Sequence, residues 1–166
     1  MSHYTYLINE VPQYNQPNKE RQEFVRDWAT KHKFKKLLDV GCGKGNYMKA
    51  LKEFKIQGVD PYSNDKSVIP KSILEFKPTK KYDAFYCLDV LEHIDKPSLD
   101  ENLKALSKFA PVGLLGIANH SDVWDGVELH LIQEGSGWWG EILSKYFTVK
   151  LLEDGDRYFM FEVSNV

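Results

Sequence analysis

Apolar positions along this chain fall in short blocks that alternate between strand and helix spacing. Leu37, Leu38 and Val40 make a brief apolar run into Gly41, Gly43 and Gly45, the pattern of an inner strand of a parallel sheet entering a glycine turn. Tyr47, Met48, Leu51 and Phe54 then recur at helical spacing and predict a helix with one apolar face. Upstream, a polar, tyrosine-bearing leader with Pro12 and Pro17 precedes a helix over residues 18–31, its face formed by Phe24, Val25, Trp28 and Ala29. Residues 56–59 read as a second strand that Pro61 stops. A third strand falls either at Val68 and Ile69 or at residues 72–76. Residues 82–88 predict a fourth, after which Pro97 opens a helix carrying Leu99, Leu103 and Leu106 that Pro111 closes. Residues 112–118 are an almost wholly apolar fifth strand, as in the middle of a sheet covered on both faces. Beyond a polar loop, Trp138, Trp139, Ile142, Leu143 and Tyr146 mark a last helix. Residues 147–152 and 157–163 then form a hairpin around Glu153 to Asp156.

Five strand–helix repeats and a terminal hairpin imply an α/β fold with a doubly wound sheet. Its ligand crevice lies beyond the carboxyl ends of the strands. At 166 residues the chain is expected to be a single domain, with residues 1–35 as leader and first helix and 36–163 as core. Net charge is −2, and Arg21, Arg26 and Arg157 are the arginines, so the basic excess of a nucleic-acid binder is missing. The lysines at 31, 33, 35 and 36, and at 77, 80 and 81, read as solvated faces. Two cysteines are too few for a disulfide framework, and no apolar run resembles a signal peptide or a membrane span, which makes a cytoplasmic protein the expectation.

Three alternating glycines let a ligand approach the backbone, and an acid about twenty residues on, at the next strand end, is placed to hold ribose hydroxyls. Asp60 occupies that position. Asn46 stands where a dinucleotide fold wants glycine, which leaves NAD as the alternative cofactor. Cys42 reads as a small thiol filling the turn, and Lys44 lacks the Ser/Thr that follows a phosphate-loop lysine.

Residues 37–45, Leu-Leu-Asp-Val-Gly-Cys-Gly-Lys-Gly, resemble motif I of the class I S-adenosylmethionine-dependent methyltransferases. Residues 82–94 are similar to the fourth-strand segment of that superfamily, especially its ubiquinone-biosynthesis-like and small-molecule branches. The resemblance implies a seven-stranded Rossmann-like sheet ending in an antiparallel hairpin, with S-adenosylmethionine as cofactor. It also implies that Gly41, Cys42 and Gly43 lie against the methionine portion with Asp39 beneath, and that Asp60 and Pro61 meet the ribose. Ser72 and Ile73 would then flank adenine, where relatives often carry aspartate, and Leu88 and Asp89 would approach the amino group or sulfonium.

The acceptor is expected near the loop at residues 119–130, with His120 and His130 as candidate general bases. Trp124, Trp138 and Trp139 are candidate walls, although the Trp138–Trp139 pair, at helical spacing with Ile142 and Leu143, reads rather as core. The expected function is methyl transfer to an O or N atom of a small molecule, with no metal. Asp89, Glu92, His93 and His130 nevertheless resemble the metal set of the small-RNA 3′-end methyltransferases, with Asp89 in place of a glutamate. A metal-assisted RNA-terminal enzyme is therefore one alternative. An NAD-dependent oxidoreductase and a non-catalytic cofactor-binding module are the others.

Overall fold

The computed structural model describes residues 2–166. Its framework is a seven-stranded sheet made of β1 (Lys36–Val40), β2 (Lys55–Val59), β3 (Val68–Ile69), β4 (Ala84–Leu88), β5 (Val112–Ala118), β8 (Phe147–Asp154) and β9 (Tyr158–Asn165). The strand order is β3-β2-β1-β4-β5-β9-β8; the first five are parallel, and β9 runs antiparallel between β5 and β8. The order reverses at β1 and β4, so the crevice opens above the ends of those two strands.

Neighbouring residues of the inner strands face opposite layers. Leu38, Val40, Phe85, Leu115 and Ile117 pack with Leu99, Leu103 and Leu106 of α4 (Lys96–Leu106) and with Trp139 and Leu143 of α5 (Ser136–Leu143). Leu37, Tyr86, Leu114 and Met160 instead meet Val25, Trp28 and Ala29 of α2 (Lys19–Lys31). Covering on both faces is why these strands are continuously apolar rather than alternating. Side-chain caps fix the helix starts: Asn18 accepts from the Arg21 N–H at 3.0 Å, and Asp95 accepts from the Ser98 N–H at 2.8 Å.

Several expectations need correction. The helix read through Phe54 is the short α3 (Asn46–Ala50), because Leu51 leaves helical geometry and residues 52–54 turn to bring β2 beside β1. The third strand lies at Val68–Ile69. Residues 72–76 instead form a turn in which Ser72 and Glu75 bond each other and the Phe76 N–H reaches the Ser72 carbonyl. The leader contains a helix, α1 (His3–Glu10), capped by Ser2 and buried through Leu7 and Ile8. The loop after β5 holds a small hairpin, β6 (Val123–Trp124) and β7 (Val127–Glu128), turning at Asp125 and Gly126, both with positive φ. Among the described residues, no helix is long and apolar enough to cross a membrane.

Candidate functional site

A cavity of about 730 Å³ opens at the carboxyl ends of the parallel strands, and Asp39, Gly41, Cys42, Gly43, Asp60, Pro61, Ser72, Ile73, Leu88 and Asp89 all line it. The turn after β1 is tied to the end of β2, since the Gly41 and Cys42 N–H groups both donate to the Val59 carbonyl, at 2.8 and 3.3 Å. Gly43 donates its N–H to one oxygen of Asp60 at 2.9 Å, and Tyr62 donates to the other at 2.8 Å. The Asp60 carboxyl is thereby held rigidly at the strand end, with a lone pair free on each oxygen. Burial pushes its pKa up, opposed by those N–H donors. Cys42 packs onto Gly58, where a Cβ would lie 2.6 Å from its sulfur, and burial pushes the thiol pKa up, so it fills space and is no nucleophile.

Asp39 sits beneath the turn at 4% exposure. Its Oδ2 has no hydrogen-bond partner among the described residues, and burial pushes its pKa up to about 8, moderated by the neighbouring Tyr86 hydroxyl. Asp89 ends β4 at a φ of 54°, its N–H donating to the Gly116 carbonyl. Its carboxylate is ion-paired with Arg21, whose guanidinium lies 3.5 Å above the centre of the Tyr158 ring. Sequence reasoning missed Arg21. A basic residue in a helix's first turn works against the helix dipole, and that was the available signal.

The leader closes the other side of the cavity. Lys44 Nζ donates to the Asn9 carbonyl, the Asn9 amide donates to the Tyr62 carbonyl, and the Asn46 amide donates to the Asn15 carbonyl. Tyr4 stacks on Tyr62 at 5.3 Å, and Tyr14 meets Trp124 edge to face at 5.4 Å.

On the side of the loop after β5, His130 is 5% exposed, with Nδ1 2.6 Å from the His120 carbonyl oxygen. Nδ1 of His93 lies 3.0 Å from the Leu129 carbonyl and 3.2 Å from the Tyr4 hydroxyl. A ring nitrogen facing a carbonyl carries the proton, so each neutral imidazole keeps its lone pair on Nε2. Burial, with His130 close by, lowers the His93 pKa to about 4. Glu92 is fully buried; one oxygen accepts the Ala118 N–H at 2.8 Å, and Oε2 has no partner among the described residues. Burial and the Asp89 charge push its pKa well up.

One ligating atom from each of Glu92, His93 and His130 lies within 4.8 Å of the other two. Asp89 is outside that group, because Arg21 holds its carboxylate elsewhere. His120 and His130 both line the cavity with their rings 4.8 Å apart, although His120 Nδ1 turns to the Ser121 carbonyl. Of the three tryptophans considered as walls, Trp124 lines the cavity, its indole N–H bonded to Asp122. Trp139 is fully buried in the core, and the half-buried Trp138 packs edge to face against it with Lys96 over its ring.

This sheet order, with a glycine turn after β1 and an acid after β2, defines a class I Rossmann-like methyltransferase. A family model described as "Methyltransferase domain" matches residues 10–149, and the chain belongs to that family, within the S-adenosylmethionine-dependent superfamily. A search of curated proteins found no match.

Similar solved structures share the fold. A S-adenosylmethionine-dependent methyltransferase from Clostridium acetobutylicum superposes with a TM-score of 0.71 at 15% identity, covering 98% of this chain and 97% of its own. The methyltransferase domain of bacterial CtHen1 gives 0.68 at 20% identity, covering 89% and 98%. Magnesium protoporphyrin IX methyltransferase from Synechocystis, solved with S-adenosylhomocysteine, gives 0.67 at 16% identity, covering 92% and 90%.

Proposed function

We propose that this chain transfers the methyl group of S-adenosylmethionine to an oxygen or nitrogen of a small molecule. The observation that carries this reading is the cradle formed by Asp39, the glycine turn and Asp60 within one cavity. Asp60 would accept both ribose hydroxyls on its free lone pairs, Pro61 would flank the ribose, and Ser72 and Ile73 would border adenine. Gly41, Cys42 and Gly43 would lie along the methionine portion, with Leu88 and Asp89 near its amino group. The sulfonium supplies an activated methyl, so what remains for the protein is placement and, for a hydroxyl acceptor, removal of a proton. His130 presents Nε2 for that task, with Asp122 3.9 Å from the same atom to stabilise the cation formed. His120 is the second candidate base. Membership of the methyltransferase family favours S-adenosylmethionine over NAD, and an acceptor chamber bearing Trp124 and His130 favours an enzyme over a passive binding module.

Asp39 provides a test that needs no acceptor. With a pKa of about 8 it holds its proton at pH 7, and the ammonium of a methionine portion lying on the turn above it, between Asp39 and Asp89, would favour the carboxylate. S-adenosylhomocysteine binding is therefore expected to release about one proton and to tighten as pH rises toward 8. Calorimetry in buffers of different ionisation enthalpy measures the release, which Asp39→Asn should remove. Heats independent of the buffer would contradict the assignment.

A second reading is favoured by one observation: one ligating atom from each of Glu92, His93 and His130 lies within 4.8 Å of the other two, and Glu92 Oε2 has no partner among the described residues. Such a set suits a divalent cation, which would draw together vicinal hydroxyls such as those of a terminal ribose. One Mn²⁺ per chain is expected by electron paramagnetic resonance, with His130→Ala weakening it on the order of a hundredfold. A Mn²⁺ signal unaffected by wild-type protein would eliminate this reading.

A further inference from the structure

We propose that the acceptor is an uncharged or cationic planar molecule held against Trp124 and Tyr14, and that the charge of the chamber rejects anionic compounds. The proposal rests on the methyltransferase reading and specifies the substrate class for the same cavity. Six acidic residues line that cavity, of which Asp39 holds its proton at pH 7, against two permanent cations among the described residues, Arg21 and Lys71. Arg21 is committed to Asp89 and stacked on Tyr158, so Lys71 alone is available to an anion there. Outside the proposed cradle, Asp95 and Glu101 are exposed on α4 and its cap, and Asp122 is the acid that lies beside His130. Asp122 is fixed beside the acceptor histidines, accepting from the Trp124 indole N–H at 3.0 Å. A concave site walled by carboxylates and low-dielectric rings concentrates negative potential, which lowers the occupancy of anions and raises that of cations.

The aromatic groups select shape. Tyr4 on Tyr62 and Tyr14 on Trp124 form two pairs, each joining the leader to the core, and all four rings line the cavity. Ring surface next to unneutralised carboxylate is the composition that holds planar and cationic ligands. It is the wrong composition for a polynucleotide end, whose regularly spaced phosphates call for several lysines or arginines. A divalent ion on Glu92, His93 and His130 would offset only part of the excess charge.

The test uses the full chain saturated with S-adenosylhomocysteine, the saturation being measured first on the same sample. Phenyltrimethylammonium, benzyl alcohol and phenyl phosphate are then titrated at one ionic strength. The cation and the alcohol are expected to bind, with phenyl phosphate weaker than the cation by roughly tenfold or more. Asp122→Asn should narrow that gap, and Trp124→Ala should weaken the cation and the alcohol together. Phenyl phosphate binding as tightly as the cation, no binding of the cation or the alcohol, or affinities unchanged by Trp124→Ala would overturn the proposal. Failure to bind S-adenosylhomocysteine would instead count against the methyltransferase reading, which separates the two failures.

Discussion

Asp60→Ala is expected to weaken S-adenosylhomocysteine binding on the order of a hundredfold, the effect of losing charge-assisted bonds worth about 1.5–3 kcal/mol each. The carboxyl does two jobs at once. It would accept the ribose hydroxyls, and it already anchors the Gly43 and Tyr62 N–H groups, so removing it also loosens the turn proposed to lie along the cofactor. Leaving two N–H groups without their acceptor should lower folding stability by about 1–3 kcal/mol. Asp60→Asn separates the contributions in part, because its single amide oxygen can still accept one of the two backbone N–H groups, its NH2 facing the other, while the negative charge is gone. Calorimetry should therefore show both variants binding weakly, while thermal unfolding shows the asparagine variant closer to the original protein. Unchanged affinity in either variant would refute the ribose assignment.

Gly41→Ala should have the second large effect, on stability and binding together. Gly41 has a φ of 75°, and its N–H is fixed to the Val59 carbonyl, so the turn cannot relax without breaking the link to β2. An added Cβ would sit 2.2 Å from Val90 Cγ2. The left-handed backbone costs a substituted residue about 1–2 kcal/mol and the overlap about 1–3 more, a large fraction of the stability of an ordinary domain. Urea unfolding should show a lower midpoint at unchanged slope, with S-adenosylhomocysteine binding lost at concentrations that saturate the original protein. A midpoint within error of the original would mean that the turn is not constrained in this way.

The features legible in the sequence are those that a few adjacent residues dictate by themselves. The glycine turn needs positive φ and close approach, Asp60 lies at a strand end set by Pro61, and residues 112–118 admit no reading but a buried strand. What stayed hidden depends on distant partners. The helix at His3–Glu10 is short and weakly patterned, and Lys44 and Tyr62 of the core hold it through Asn9. Arg21 and Asp89 are far apart in sequence, so their ion pair, which takes Asp89 out of the proposed ligand set, leaves no local trace. Glu92 and His93 meet His130 only because the loop after β5 folds back, its Leu129 carbonyl reaching His93 and the Ile132 N–H reaching the Glu92 carbonyl.

One missed element did carry a sign. Asp125-Gly126 is a hairpin-turn dipeptide, and it makes the small β6–β7 hairpin that holds Trp124 over the cavity. The third strand was ambiguous for the opposite reason, since Val68–Ile69 is too short to show any period.

The most direct measurement is calorimetric titration of the purified protein with S-adenosylmethionine, S-adenosylhomocysteine and NAD under one set of conditions. The expected result is a single site for each sulfur ligand, competitive between them, with no saturable heat from NAD. A site for NAD with none for either sulfur ligand would contradict the assignment of this cavity to S-adenosylmethionine.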